Sequence, residues 1–313
     1  MIRYYTKTYR RFMELEREED AAWIHISQPF EQGELSAFSE THDIPLDFLT
    51  DSLDIDERSR YEREENANLI LVNTPLLNEE LKDNEAIYYT APIGIILIKN
   101  KIITITGREN PIIEKFLEDR VKNFDPKDPK LFVLQIFEQN VLRFLECLKK
   151  LNLKRNLIEQ ELYNSSRNRE LKQLLRIEKS LVYFVNSLSA NELLKMKMKR
   201  TDLLNIRELE YHTDLFEDVI IDNSQALEMS NVHTNILAGT MEAYASIISN
   251  NMNAVVNRLT VITITLMVPT LVYSFYGMNV DLPGKENPYS YIYILIISFI
   301  IVLGLLYFIT KKR

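Results

Sequence analysis

Residues 259–279 read LTVITITLMVPTLVYSFYGMN, and residues 289–309 read YSYIYILIISFIIVLGLLYFI; neither apolar stretch carries a charged side chain. Each is long enough to cross a hydrocarbon core about 30 Å thick, which takes roughly 17 to 25 helical residues. The polar link Gly277 to Pro288 is so short that the two helices must form an antiparallel hairpin. Arg258 precedes the first span and Lys311-Lys312-Arg313 follow the second, while the link carries Asp281, Lys285 and Glu286. The positive-inside rule therefore predicts both termini in the cytoplasm and the link outside, in a multi-pass protein of the cell membrane.

Working back from the hairpin, the chain from Lys130 has almost no Pro or Gly until Gly239, and apolar residues recur at steps of three and four. Leu131, Leu134, Phe137, Val141, Phe144, Leu145 and Leu148 form one such face. Three long helices are predicted, roughly 130–163, 168–200 and 203–276, the last running into the membrane. Before them, Ala21–Ser27, Leu69–Thr74, Ala86–Thr90, Gly94–Lys99 and Lys101–Thr106 are β-rich runs. The last two meet at Asn100-Lys101 as a tight hairpin. Helical patterns cover 44–53 and 111–123, and Asp125-Pro-Lys-Asp-Pro129 is a breaker cluster. The expected architecture is an α/β cytoplasmic domain (1–128), long cytoplasmic helices (129–202), a stalk helix (203–258), transmembrane helix 1 (259–276), an outer loop (277–288), transmembrane helix 2 (289–310) and a basic tail (311–313).

Composition narrows the function. The formal charge is -8, and the basic stretch Lys149 to Arg200 lacks interleaved aromatics, so it reads as the solvated face of a helix and not as a nucleic-acid surface. Cys147 is the single cysteine, which excludes an internal disulfide and fits a reducing compartment. The start, Met1 to Arg11, has no signal-peptide apolar region. The histidines His25, His42, His212 and His233 are scattered outside any metal-ligand spacing, and with only 7 glycines no P-loop or Rossmann pattern occurs. No enzyme is expected.

The first span carries a seam. Asn253, Val256, Thr260, Thr263, Met267, Thr270, Ser274 and Gly277 follow one another at alternating steps of four and three, and all but Val256 and Met267 are polar or small. The same register continues back through Ser249, Ser246, Glu242, Gly239 and Asn235. Membrane Ser and Thr commonly back-bond to their own helix, and that reading stands beside a second one. In the second, several copies of this helix surround a wet axis, which requires a homo-oligomer of cyclic symmetry because one hairpin cannot enclose a pore. Pro269 removes one backbone hydrogen bond inside the span.

Gly277-Met278-Asn279 after Tyr276, Pro269-Thr270-Leu271-Val272 before it, Ser249-Asn250-Asn251-Met252-Asn253 ahead of the span and the basic tail together resemble the CorA family of divalent-cation channels. The resemblance implies a funnel-shaped homopentamer that carries Mg2+ inward, with Co2+ and Ni2+ as further cargo. It assigns Gly277, Met278 and Asn279 to the outer ion-binding ring, Thr270 to a second polar ring and Met267 to a constriction. Val256 and Leu259 become a hydrophobic gate and Asn253 an inner polar ring. It also implies a cytoplasmic regulatory Mg2+ site, for which Asp218, with Asp222 a turn later, is the match, and Asp51 to Glu57 a candidate partner. An ordinary solvated acidic face is the alternative for Asp218. The loop Val280-Asp281-Leu282-Pro283-Gly284-Lys285-Glu286 departs from the family's more acidic pattern. A zinc transporter of the same architecture and a non-conducting membrane anchor for a coiled-coil adaptor are the competing readings; Met278 disfavours the first and the seam the second.

Overall fold

The computed structural model describes residues 1–8, 11–30, 33–79, 85–99, 101–164, 168–280 and 288–311. They fall into two compact units, Met1–Met241 and Glu242–Arg313. The first is built on a 7-stranded sheet of strands β1 (Ile2–Thr8), β2 (Arg11–Leu15), β3 (Trp23–Ser27), β4 (Arg60–Arg63), β5 (Ala67–Leu77), β6 (Tyr88–Ile98) and β7 (Lys101–Thr106), in the order β2-β1-β3-β7-β6-β5-β4. Only β3 and β7 pair in parallel.

Both faces are covered, which is why the central strands read as continuous apolar runs. Helices α1 (Glu34–His42) and α2 (Leu46–Asp51) cover one face through Phe38, Phe48 and Leu49, packed on Ile24, Ile26, Leu69, Ile96, Ile103 and Ile105. Gly94 permits that approach: a Cβ there would overlap the buried Ser52 side chain and reach within 2.6 Å of Ile105 Cγ2. On the other face lie α3 (Pro111–Leu117), α4 (Pro129–Asn164) and α5 (Asn168–Thr201), where Phe124 and Phe132 touch each other and both Trp23 and Phe116 at ring-centroid distances of 4.7 to 5.9 Å. Because α4 and α5 pack on the sheet, the breaker at 125–129 separates two helices without ending the compact unit, which continues to Met241.

The runs expected at 86–90 and 94–99 are one strand, β6, paired with β5 along its whole length. Pro92 and Pro75 suggest breaks, yet each sits where the outer neighbour has stopped: β7 pairs β6 only as far as Ile93, and β4 pairs β5 only as far as Leu71. A missing N–H there costs no ladder bond. Ile98 pairs with Lys101 as the expected hairpin requires; Asn100 lies outside the described residues.

The long helices match the periodicity except at one start. The third, α6, spans Glu210–Tyr276 and does not begin at 203. Asp202 and Asn205 both adopt left-handed φ (48° and 50°), and Asp202 Oδ1 accepts from the Ile206 N–H at 2.9 Å, capping a 3-10 turn over Ile206–Glu208. In the first unit α6 buries His212, Phe216, Val219, Asn223, Ala226, Ser230 and Leu237, one face at helical spacing. The second unit holds the remainder of α6 and α7 (Ser290–Lys311).

Candidate functional site

Both apolar helices are long and apolar enough to span a membrane. Within the second unit, Val261, Thr265, Val268, Pro269 and Val272 of α6 are half-buried, whereas their neighbours are exposed. The matching row on α7 is Ile294, Ser298, Val302, Leu305 and Leu306, with Ser298 only 2% exposed. These rows are the shielded edges of the two helices, and the Ser298 hydroxyl back-bonds to the Ile294 carbonyl at 2.7 Å.

The seam lies elsewhere. Asn253, Val256, Thr260, Thr263, Met267, Thr270, Ser274 and Gly277 are all exposed, as is Leu259 one step aside. At 3.6 residues per turn the seam and this half-buried edge stand roughly 170° apart around α6. The chain therefore leaves its polar edge uncovered by its own second helix. In the first unit, Asn235 and Gly239 of the same register are exposed as well.

The seam threonines do back-bond. Thr260, Thr263 and Thr270 donate to the carbonyls of Val256, Leu259 and Leu266 at 2.9, 2.8 and 2.8 Å. This spends the hydroxyl proton and leaves oxygen lone pairs facing outward, so the two readings of these side chains are compatible. The carbonyl freed by Pro269 is that of Thr265, on the half-buried edge, so no bare carbonyl is added to the seam.

At the C-terminal end of α6 the Gly277 N–H still donates to Tyr273 O at 2.9 Å, and Met278 N–H closes a tighter turn onto Phe275 O at 3.3 Å. Gly277 has an ordinary negative φ, so the backbone does not demand glycine there. Its effect is to leave the main chain bare beside the exposed Asn279. Asp281, Lys285, Glu286, Lys312 and Arg313 lie outside the described residues.

In the first unit, Asp218 is exposed and Asp222 half-exposed on α6, while neighbouring Glu217 is held by Lys199 at 2.8 Å. Among the described residues no group of three or more His, Cys, Asp or Glu is gathered to hold a metal. The candidate partners Asp51 and Glu57 are instead engaged, with Glu62, by the single guanidinium of Arg60, at 2.6 Å for Asp51.

Residues 18–313 match the model of the CorA-like Mg2+ transporter protein family. The chain belongs to that family. As a CorA-type membrane transporter it is not an enzyme. It is 26% identical over 295 residues to the cobalt/magnesium transport protein CorA of Methanocaldococcus jannaschii, covering 91% of this chain and 88% of that one. It is 25% identical over 303 residues to the magnesium transport protein CorA of Helicobacter pylori, covering 95% and 91%. The complete structure of the M. jannaschii CorA magnesium transporter superposes with a TM-score of 0.82 at 23% identity, covering 100% of this chain and 98% of that chain. The fold is thus the CorA fold along its whole length.

Proposed function

We propose that copies of this chain surround a common axis, as a homopentamer by family resemblance, and carry Mg2+ across the cell membrane along the α6 seam. The observation that supports this is the uncovered polar edge from Asn253 to Gly277, set away from the half-buried edge of α6 and ending beside Asn279. The transport function printed for the M. jannaschii and H. pylori relatives agrees with it.

The residue types suit the cargo. Mg2+ demands octahedral oxygen coordination and dehydrates reluctantly, so a pore for it must grip its water shell. Waters bound to a cation present hydrogens outward and seek acceptors. The Asn279 amide oxygens, the Gly277 carbonyls and threonine oxygens that have already spent their protons are such acceptors, and none binds with carboxylate strength that would prevent release. Thr270 forms the second polar ring, Met267 narrows the path, Val256 and Leu259 gate it, and Asn253 receives the ion at the cytoplasmic end. Co2+ and Ni2+, of similar hydration, are further cargo. Both termini face the cytoplasm. Intracellular Mg2+ at Asp218 and Asp222, completed by carboxylates of a neighbouring copy, regulates closing.

Asn279→Ala in proteoliposomes tests this reading. Mg2+ influx should fall to background while the oligomer elutes unchanged; undiminished influx would remove Asn279 and its ring from the pathway.

A further inference from the structure

Among the described residues, Lys195 is the one fully buried side chain with a cationic head group. Its Nζ donates to Asn223 Oδ1 of α6 at 2.6 Å and lies 5.5 Å from the centroid of the Phe137 ring of α4. Asn223, also fully buried, donates its amide N–H to the Leu188 carbonyl of α5 at 3.1 Å, so the two side chains clasp α5 and α6 from both directions. An ammonium brings three donors and a full charge; this site offers one neutral oxygen and a ring face. Around it, α4 supplies Phe137 and α6 supplies Asn223, both uncharged. The charged group acting on it is Glu192 of its own helix, whose carboxylate accepts from the Ser224 hydroxyl of α6. The amide oxygen and the ring face replace only part of the hydration an ammonium loses on burial, so the clasp favours the neutral amine.

We propose that the Lys195–Asn223 contact is a proton-sensitive joint, firm with a neutral amine and loosened by protonation, through which the pH around the first unit sets how tightly the proposed pore helix is held. The transport part rests on the function proposed above; the joint itself does not.

Burial pushes the amine from its ordinary 10.5 down to about 7, against the opposing effect of Glu192. An opening that wets Lys195 restores the ordinary value. The opened form then binds more protons between pH 7 and 10.5, so the closed form gains stability as pH rises through that window and the dependence flattens below pH 7. From pH 7 to 8 the opening ratio should fall roughly fivefold.

Hydrogen exchange on the full-length protein in detergent reads this directly. After correction for intrinsic rates, protection of amides 219–226 should rise roughly fivefold between pH 7 and 8 in the wild type and stay flat in K195M. N223D places a carboxylate against the amine, keeps it charged, and should be flat as well, which guards against a K195M that folds poorly. A wild-type dependence equal to that of both variants overturns the joint. In parallel, Mg2+ flux into proteoliposomes should respond to pH between 7 and 8 in the wild type and lose that response in K195M. A pH-dependent joint with identical flux responses overturns its regulatory role. Flux absent from every protein at every pH defeats the transport reading instead, and exchange alone then decides the joint.

Discussion

Asn191 of α5 takes the place of a missing strand beside Asn73 of β5: its Oδ1 accepts from the Asn73 N–H at 3.1 Å, and its Nδ2 donates to the Asn73 carbonyl at 2.9 Å. β4 ends at Arg60, opposite Leu71, so the backbone of Asn73 would otherwise be a raw sheet edge buried under helices. Ser180 does the same at the start of β6, accepting from the Ile87 and Tyr88 N–H groups at 2.9 and 3.0 Å. With Ser187, bonded to Thr90 at 2.8 Å, these residues form a polar row that docks α5 onto the sheet.

Asn191→Leu should therefore cost more than its exchange of an amide for an alkyl group suggests. It strips one partner each from the Asn73 N–H, the Asn73 carbonyl and the Ser59 hydroxyl in a dry site. A loss of about 2–3 kcal/mol is expected. The single tryptophan, Trp23, is fully buried and reports the denaturant midpoint by fluorescence. An unchanged midpoint would mean that Ser59 and Asn140 already satisfy the edge.

This row also marks where the sequence stops being legible. The spans, the long helices and the central strands announce themselves through period and apolar content. β1, β2 and β4 do not: IRYYTKT, RFMEL and RYER carry charges because each lies at or next to an edge with a solvated side. The true start of α6 hides behind Asp202 and Asn205, whose left-handed backbone is a choice of context. The seam was readable because a 3.5-residue register needs no partner to be seen. Its placement away from the half-buried edge was not, since Ser298 and Thr265 look no different in sequence from Ser274 and Thr263. Nor does anything in the chain's order reveal that Lys195 faces Asn223, 28 residues on.

Acid should weaken the first unit through His25. The imidazole is 5% exposed, its Nδ1 lies 2.9 Å from Thr104 Oγ1, and burial pushes its pKa from 6.5 down to about 4, with the charges of Arg3 and the N-terminus acting in the same direction. The folded form thus binds fewer protons than the unfolded chain between pH 6.5 and 4, so stability falls as pH drops through that window and levels off below it. The loss from the buried ring is about 3 kcal/mol. Denaturant midpoints of the wild type and His25→Gln across that range check it. The variant should show a slope shallower by about one proton; equal slopes would assign the acid sensitivity elsewhere.

The regulatory reading of Asp218 makes a sharper demand. Its side chain is exposed and, among the described residues, has no ion-pair partner, whereas Glu217 beside it is neutralised by Lys199. A carboxylate left free on a helix is either a solvated surface group or one waiting for a ligand from another copy. If it helps to hold Mg2+ between copies, Asp218→Ala should move Mg2+-dependent protection against protease to several-fold higher Mg2+, while Glu217→Ala, which removes only a surface ion pair, should leave the midpoint in place. Asp218→Asn separates charge from shape and should behave like the alanine variant, since a neutral amide binds Mg2+ far more weakly than a carboxylate. Identical protection curves for wild type and Asp218→Ala would return Asp218 to the solvated face of α6.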